Sequence, residues 1–314
     1  MARATGPIRV GITLGDPRGI GAEVVRKALE GGEFEDDVSF VLFGPAAILE
    51  SVGAQAERVE VGTWAADGDA ASAGRVAGDA VRAATERALA GGLSALVTAP
   101  VDKAAFHAGG WTYPGHTEML QALAESPTVA MLMAAERTAI GGPLRVVLAT
   151  THVALRDASA LLTEELLCGQ TMLAARALRR WWGIETPRVA LCAVNPHAGD
   201  GGLFGDEEKR VLEPALDRIR RSGIRADGPI PADTVFVRAI RGEWDVVIAP
   251  YHDVGMAAFK TACFGGGVNV TLGLPFPRTS PDHGTAFDIA GQDRADPASM
   301  TEAIHLAVRL ARAL

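Results

Sequence analysis

Lysine is scarce in this 314-residue chain: of 30 basic residues only Lys27, Lys103, Lys209 and Lys260 are lysine. Drift towards arginine accounts for the bias, and against it a retained lysine stands out. Lys103 and Lys260 sit in stretches punctuated by proline or glycine, and lysine titrates more readily than arginine, so the two are not interchangeable in a site. Cysteine is sparse as well. Cys168, Cys192 and Cys263 are odd in number and lack a CxxC spacing, which argues against a disulfide framework and fits a reducing compartment. No run approaches the roughly 18 apolar residues of a membrane span. The opening MARATGPIRVGITLG lacks the apolar core of a signal peptide, so a cytoplasmic protein without membrane partners is expected. A net charge of −8 argues against a general nucleic-acid surface. Also missing is a GxGxxG that follows a strand and opens a helix, so the ordinary dinucleotide fingerprint is absent.

The composition, 48% hydrophobic and 22% charged, is that of a globular protein with a large core. Short β-rich runs alternate with helical ones, which predicts an α/β fold. Strands are expected at Ile8–Leu14, Val38–Phe43 and Leu93–Thr98. Helices are expected over Ala22–Leu29, Gly74–Leu89, from Thr163 to a stop at Gly183, over Glu207–Ser222 with Pro214 awkwardly inside, and from Pro297 towards Leu314. No repeat, linker or composition break appears, so residues 1–314 read as one catalytic unit whose two lobes share interleaved segments.

Histidine carries the first functional signal. Three strand-like runs, Arg145–Thr150, Arg188–Val194 and Trp244–Pro250, lead into His152, His197 and His252, three of only seven histidines. Groups just past the carboxyl ends of strands line the ligand crevice of open α/β sheets, and three imidazoles with an open position make a catalytic metal site. Taken singly, each is more often a hydrogen-bonded structural histidine; the shared setting favours a site. His107 and His305 lack that setting. Asp253, directly after His252, and Asp233 in the PADT turn are placed to hold a metal-bound imidazole or to act as general base. The plainer role for Asp233 is turn formation or helix capping.

A second set suits an anion: His116 and Thr117 in YPGHTE, Lys260, Asn269 and Arg278. Cations bind phosphate or carboxylate, and hydroxyl and amide groups fix its orientation. Glycine-rich turns at GDPRGIG, NPHAGDGG and FGGGVN let backbone approach a ligand closely.

Taken together, ITLGDPRGIGAE, TAPVDKAAF, GHTEML, TTHVALRD, NPHAGDGGLFGDEE, PADT, YHDVGM and GVNVTLGLPFPRTSPDHGTAFDIAG resemble the 4-hydroxythreonine-4-phosphate dehydrogenase (PdxA) family, over essentially the whole chain. The resemblance implies a two-lobed α/β/α fold similar to the isocitrate and isopropylmalate dehydrogenases. It implies an enzyme that uses NAD, with NADP the alternative, and one divalent metal: zinc, or manganese, cobalt or magnesium. His152, His197 and His252 would hold the metal at a homodimer interface, the third histidine coming from the partner. His116, Thr117, Lys260, Asn269 and Arg278 would contact the substrate, with Lys103, Asp233 and Asp253 as catalytic candidates. No residue is assigned to the cofactor. The implied reaction is oxidation and decarboxylation of 4-phosphooxy-L-threonine to 3-amino-2-oxopropyl phosphate, in pyridoxal phosphate (vitamin B6) biosynthesis. A related branch acts on 4-phospho-D-threonate or 4-phospho-D-erythronate, and the histidines alone would also permit a metal-dependent hydrolase of a phosphorylated metabolite. The chain departs from the family pattern at Arg18, Ala22, Asp102 and Val254, none of them a predicted metal or substrate residue.

Overall fold

The computed structural model describes residues 6–263 and 265–314. The first five residues of the N-terminal stretch, and Phe264 of the FGGGVN turn, lie outside the described residues. The chain forms two compact units, one made of the chain up to Pro127 together with Val268–Leu314, the other of Thr128–Gly267.

The first unit begins with β1 (Ile8–Thr13), α1 (Gly21–Gly31), β2 (Val38–Gly44), α2 (Ala46–Val52), β3 (Glu57–Glu60), α3 (Ala70–Leu89), β4 (Ala95–Thr98), α4 (Lys103–Ala108) and α5 (His116–Leu123). The second unit holds β5 (Ala130–Ala135), β6 (Leu144–Leu148), α6 (Leu155–Leu161), α7 (Glu164–Trp182), β7 (Arg188–Cys192), α8 (Glu213–Arg221), β8 (Arg225–Ile230), α9 (Ala232–Ile240), β9 (Val246–Ala249) and α10 (His252–Cys263). The chain then returns to the first unit with β10 (Val268–Leu272), β11 (Arg278–Pro281) and α11 (Ala298–Arg312).

In the first unit the strands run in the order β3-β2-β1-β4-β11-β10, parallel except for the β10–β11 pair. In the second the order is β5-β6-β9-β7-β8, parallel except for β5–β6. Strands β4, β6 and β9 are buried at every position. Helices cover both faces of such strands, and near-continuous apolar runs such as RVVL and VVIA are what that setting selects. In the second unit Leu144, Val146, Val247, Ala190, Phe236, Trp244 and Phe259 pack into one buried cluster.

Local signals explain most helix ends. Thr163 caps α7 by accepting from the Leu166 N–H, and Gly183 ends it in the left-handed region, both at the expected residues. α3 starts four residues before the expected Gly74, because Asp69 caps it by accepting from the Ser72 N–H. The helix expected over Glu207–Ser222 is in two parts. Glu208–Leu212 forms a wide π turn, and Pro214 stands at the start of α8, where its missing N–H costs nothing. Among the described residues no helix is long and apolar enough to cross a membrane.

Candidate active site

In the second unit β6, β9, β7 and β8 are neighbouring parallel strands, so their carboxyl ends share one sheet edge. His152 follows β6, His252 follows β9 and opens α10, His197 follows β7, and Asp233 follows β8 in the first turn of α9. The strand-end pattern in the sequence therefore becomes a single row of chemical groups. The rings of His152 and His252 lie 5.6 Å apart between centroids. Asp253 Oδ1 stands 2.7 Å from His252 Nδ1, a contact that orients the ring and leaves Nε2 as the nitrogen that could take a metal. His197 does not join this pair: among the described residues no three His, Cys, Asp or Glu side chains surround a position for one ion. Asp233 is exposed and is not a cap; Pro231 holds that position, and the Thr234 hydroxyl donates to the Pro231 carbonyl. Lys260 lies two turns further along α10 than His252.

The turn carrying His197 has an unusual backbone. His197, Ala198 and Asp200 all have positive φ (53°, 57° and 44°), as does Gly199. Glu208, only 4% exposed, accepts hydrogen bonds from the N–H groups of Val194 and Asn195 at 2.9 and 2.7 Å and from Asn195 Nδ2 at 2.9 Å. Glu207 accepts from Asn195 Nδ2 at 2.7 Å and from the Ser159 hydroxyl at 2.8 Å, and these bonds hold its carboxyl below the usual range. Burial, with the Glu208 charge, pushes the Cys192 thiol up to about 12. The adjacent acids of GDEE were visible in the sequence as a helix start; that Glu208 is buried under NPHAG was not.

The first unit carries His116, Thr117, Asn269 and Arg278 of the anion set, and Lys260 belongs to the second. Arg278, at the start of β11, is 2% exposed. Its Nη1 donates to Thr271 Oγ1 at 2.9 Å and its Nη2 to Thr98 Oγ1 at 2.5 Å, while its buried Nε has no partner. Burial lowers the guanidinium to about 10, so it stays charged at neutral pH. Among the described residues no carboxylate pairs with it, and a buried cation without an anion is costly. His116 opens α5, whose N-cap is Gly115 and has no capping side chain. Its Nε2 is buried without a partner, and burial, with the charges of Arg278 and Lys103, lowers the imidazole to about 3, so the ring is neutral. A Cβ on Gly115 would stand 3.8 Å from Lys103 Cε, so the Lys103 stem runs beside this helix start. Thr117 is the next residue of α5. In β10, Asn269 has a buried Oδ1 without a partner.

The GDPRGIG turn braces this region. Asp16, 1% exposed, accepts from Arg18 through its backbone N–H at 3.0 Å and its guanidinium at 3.0 and 2.7 Å, and Arg18 stacks over Phe287 at 4.9 Å. A Cβ on Gly15 or Gly21 would stand 2.3 Å from the Pro100 carbonyl oxygen or 2.2 Å from that of Leu14, so only glycine permits this approach. Asp102, a departure from the family pattern, caps α4 by accepting from the Ala105 N–H at 2.8 Å. A cleft of about 480 Å³ beside this turn is lined by Arg18, Gly19, Arg26, Ile48, Gly291 and Asp293. Its size suits a small ligand, although Asp16 engages Arg18, and Glu30 and Asp293 engage Arg26.

Residues 37–307 match the family model of the pyridoxal phosphate biosynthetic protein PdxA. The chain belongs to the PdxA family. It is 40% identical over 332 residues to a 4-hydroxythreonine-4-phosphate dehydrogenase of Desulfosudis oleivorans, with 97% of this chain and 96% of that one aligned. It is 42% identical over 336 residues to a D-threonate 4-phosphate dehydrogenase of Salmonella typhimurium, covering 96% and 98% of the two chains. A crystal structure of 4-hydroxythreonine-4-phosphate dehydrogenase from Klebsiella pneumoniae superposes with a TM-score of 0.85 at 37% identity, over 97% of this chain and 99% of that one. At 17% identity, an isocitrate dehydrogenase from Methylococcus capsulatus shares the fold with a TM-score of 0.51, covering 97% and 87% of the chains. This PdxA-family chain is an oxidoreductase with an isocitrate dehydrogenase-like α/β fold.

Proposed function

We propose that this protein oxidises and decarboxylates 4-phosphooxy-L-threonine to 3-amino-2-oxopropyl phosphate in pyridoxal phosphate biosynthesis, with NAD and one divalent metal ion. The observation that carries the reading is the buried Arg278 guanidinium beside the neutral His116 at an open helix start. That site has charge, donors and an unpartnered Nε, and among the described residues no ion pair neutralises Arg278, on which the Glu118 carboxylate acts only from a distance. A substrate phosphate supplies the paired anion, with the Thr117 hydroxyl and Asn269 fixing its orientation.

The donor set at the edge of the second sheet fits a metal. Three neutral-capable imidazoles suit zinc or another first-row ion, and the Asp253 contact holds His252 in a ligating tautomer. His152, His197 and His252 would hold the ion, with one ligand supplied by a second copy of the chain. In support of a homodimer, Val153, Leu155 and Leu161 beside His152, and Leu203 and Phe204 beside His197, are 45–73% exposed. The bond between Ser159 and Glu207 ties these two segments together, and clustered exposed apolar side chains mark interaction surfaces.

The chemistry the bound groups supply is Lewis-acid polarisation of the substrate's secondary hydroxyl and acceptance of its hydride. The chain's residues do the rest. Arg278 and His116 bind and orient the phosphorylated end. Asp233, exposed at the histidine edge, or Lys103 takes the hydroxyl proton. The resulting β-keto acid carries its carboxylate on C2, beside the new C3 ketone; as CO₂ leaves, the C1–C2 bonding pair passes into that carbonyl, and a proton then adds at C2.

A second reading, oxidation of 4-phospho-D-threonate or 4-phospho-D-erythronate, is favoured by the likeness to the Salmonella enzyme. The two readings differ at C2, where one substrate carries an amine and the other a hydroxyl. Kinetics on both substrates, run side by side, test the choice. The amino acid should win, because a matched site rejects an analogue that lacks a hydrogen-bonded group by large factors. If the hydroxy acid won by about a hundredfold, the vitamin B6 assignment would fall and the phosphate and metal assignments would stand.

A further inference from the structure

We propose that Glu208 is the positioning residue for His197: its buried carboxylate clamps the turn that carries the imidazole and sets the direction in which the ring presents its nitrogen to a divalent ion. The proposal rests on the reading of His197 as a metal ligand. His197 lies five residues beyond the last residue of β7, with no regular element to direct it. Its turn passes through six consecutive positive-φ residues, His197 to Gly202, of which His197, Ala198 and Asp200 are not glycine. L side chains rarely adopt this region, and a run of them persists only when the surroundings over-determine it.

Glu208 supplies that determination. Three donors converge on it, the Val194 and Asn195 N–H groups on Oε1 and Asn195 Nδ2 on Oε2. A carboxylate satisfies all three, having four acceptor sites and no donor, whereas an amide in its place keeps an acceptor only for the two backbone N–H groups. Gly199 closes the turn over it: a Cβ there would stand 2.9 Å from Glu208 Oε2. The second proton of Asn195 Nδ2 goes to Glu207, whose other oxygen receives the Ser159 hydroxyl of α6. The segment after His152 and the turn of His197 are therefore joined through two acids and one asparagine. Both acids stand at the π turn that precedes α8, a distortion frequent at functional sites. Groups that orient a metal ligand from behind typically change metal affinity about 10–100-fold when removed.

The test titrates full-length protein with Co²⁺ alone, followed by its visible absorption, alongside thermal melting by circular dichroism. His197→Ala and Glu208→Ala should each weaken Co²⁺ binding by about 10–100-fold. Glu208→Gln should recover part of the loss, because its amide oxygen still accepts both backbone N–H groups while its NH2 meets Asn195 Nδ2 donor to donor. In turnover assays Glu208→Ala should lower kcat while the KM for the phosphorylated substrate stays within about twofold, since the anion contacts lie elsewhere. A Glu208→Ala protein that melts like wild type and binds Co²⁺ with wild-type affinity overturns the proposal. Unchanged Co²⁺ binding by His197→Ala instead overturns the metal reading beneath it. If Glu208→Ala does not fold, Asn195→Ala decides: it removes one donor and the Glu207 link, and an unaltered Co²⁺ Kd in that variant overturns the clamp.

Discussion

Replacing Arg278 with methionine separates a binding role from a structural one, because the two predict opposite effects. The side chain is buried and charged and, among the described residues, held by the hydroxyls of Thr98 and Thr271, with Nε unpartnered. If it binds the substrate phosphate, the variant loses charge-assisted hydrogen bonds worth about 1.5–3 kcal/mol, a rise in KM of roughly 10- to 150-fold where KM tracks binding. Stability should move little or upward. Replacing a buried ion with an apolar side chain of similar length removes a desolvation cost, and this offsets the two hydroxyls left without a partner. The assay pairs initial rates over a wide range of phosphorylated substrate with urea unfolding of the same preparations. A methionine variant with a lowered unfolding midpoint and an unchanged KM would show that Arg278 is a structural residue, and the anion site would lose its main cation.

Three further outcomes follow from the geometry. Alanine at His152, His197 or His252 should each cut bound metal sharply, measured by elemental analysis after dialysis; full metal content in all three variants would remove the ligand assignment. Mixing inactive His197→Ala and His252→Ala protomers should restore about one quarter of wild-type activity, because His152 and His252 pair within one chain and one interfacial site of the heterodimer then keeps every ligand; no recovery from a verified heterodimer would place all ligands within one chain. His116, lowered to about 3 from 6.5, stays neutral in the fold at a pH where the unfolded chain binds a proton. The stability this contributes is complete above pH 6.5 and is lost as pH falls towards 3. Wild type should therefore lose more unfolding free energy between pH 7 and pH 5 than His116→Gln, and equal losses would contradict the burial of that ring.

Some of this site can be read directly in the chain. The three histidines announce themselves because β6, β7 and β9 are short apolar runs, and a ligand just past such a run is a local pattern. The ends of α7 are equally local, a capping threonine and a left-handed glycine. The anion set is half legible. Arg278 between apolar and glycine-rich segments signals burial, but its threonine partners lie 7 and 180 positions away, and distant pairing leaves no periodic trace. The early start of α3 shows a cap outweighing a hydrophobic pattern: Asp69 lies seven residues before Val76, the first large apolar side chain of the helix. Glu208 is the clearest case of what sequence conceals. An acid in GDEE has the composition of a solvated helix start, and only the fold of NPHAG over it turns the carboxylate inward.

The central claim is a metal- and NAD-dependent oxidative decarboxylation of a 4-phosphorylated hydroxy acid, and product stoichiometry tests it most directly. Purified protein is given 4-phosphooxy-L-threonine and NAD, and NADH, CO₂ and inorganic phosphate are measured together before and after chelation and readdition of zinc or manganese. The account predicts NADH and CO₂ in equal amounts, both abolished by the chelator and restored by the ion, with no phosphate released. Phosphate release without NADH would contradict it and identify a hydrolase instead.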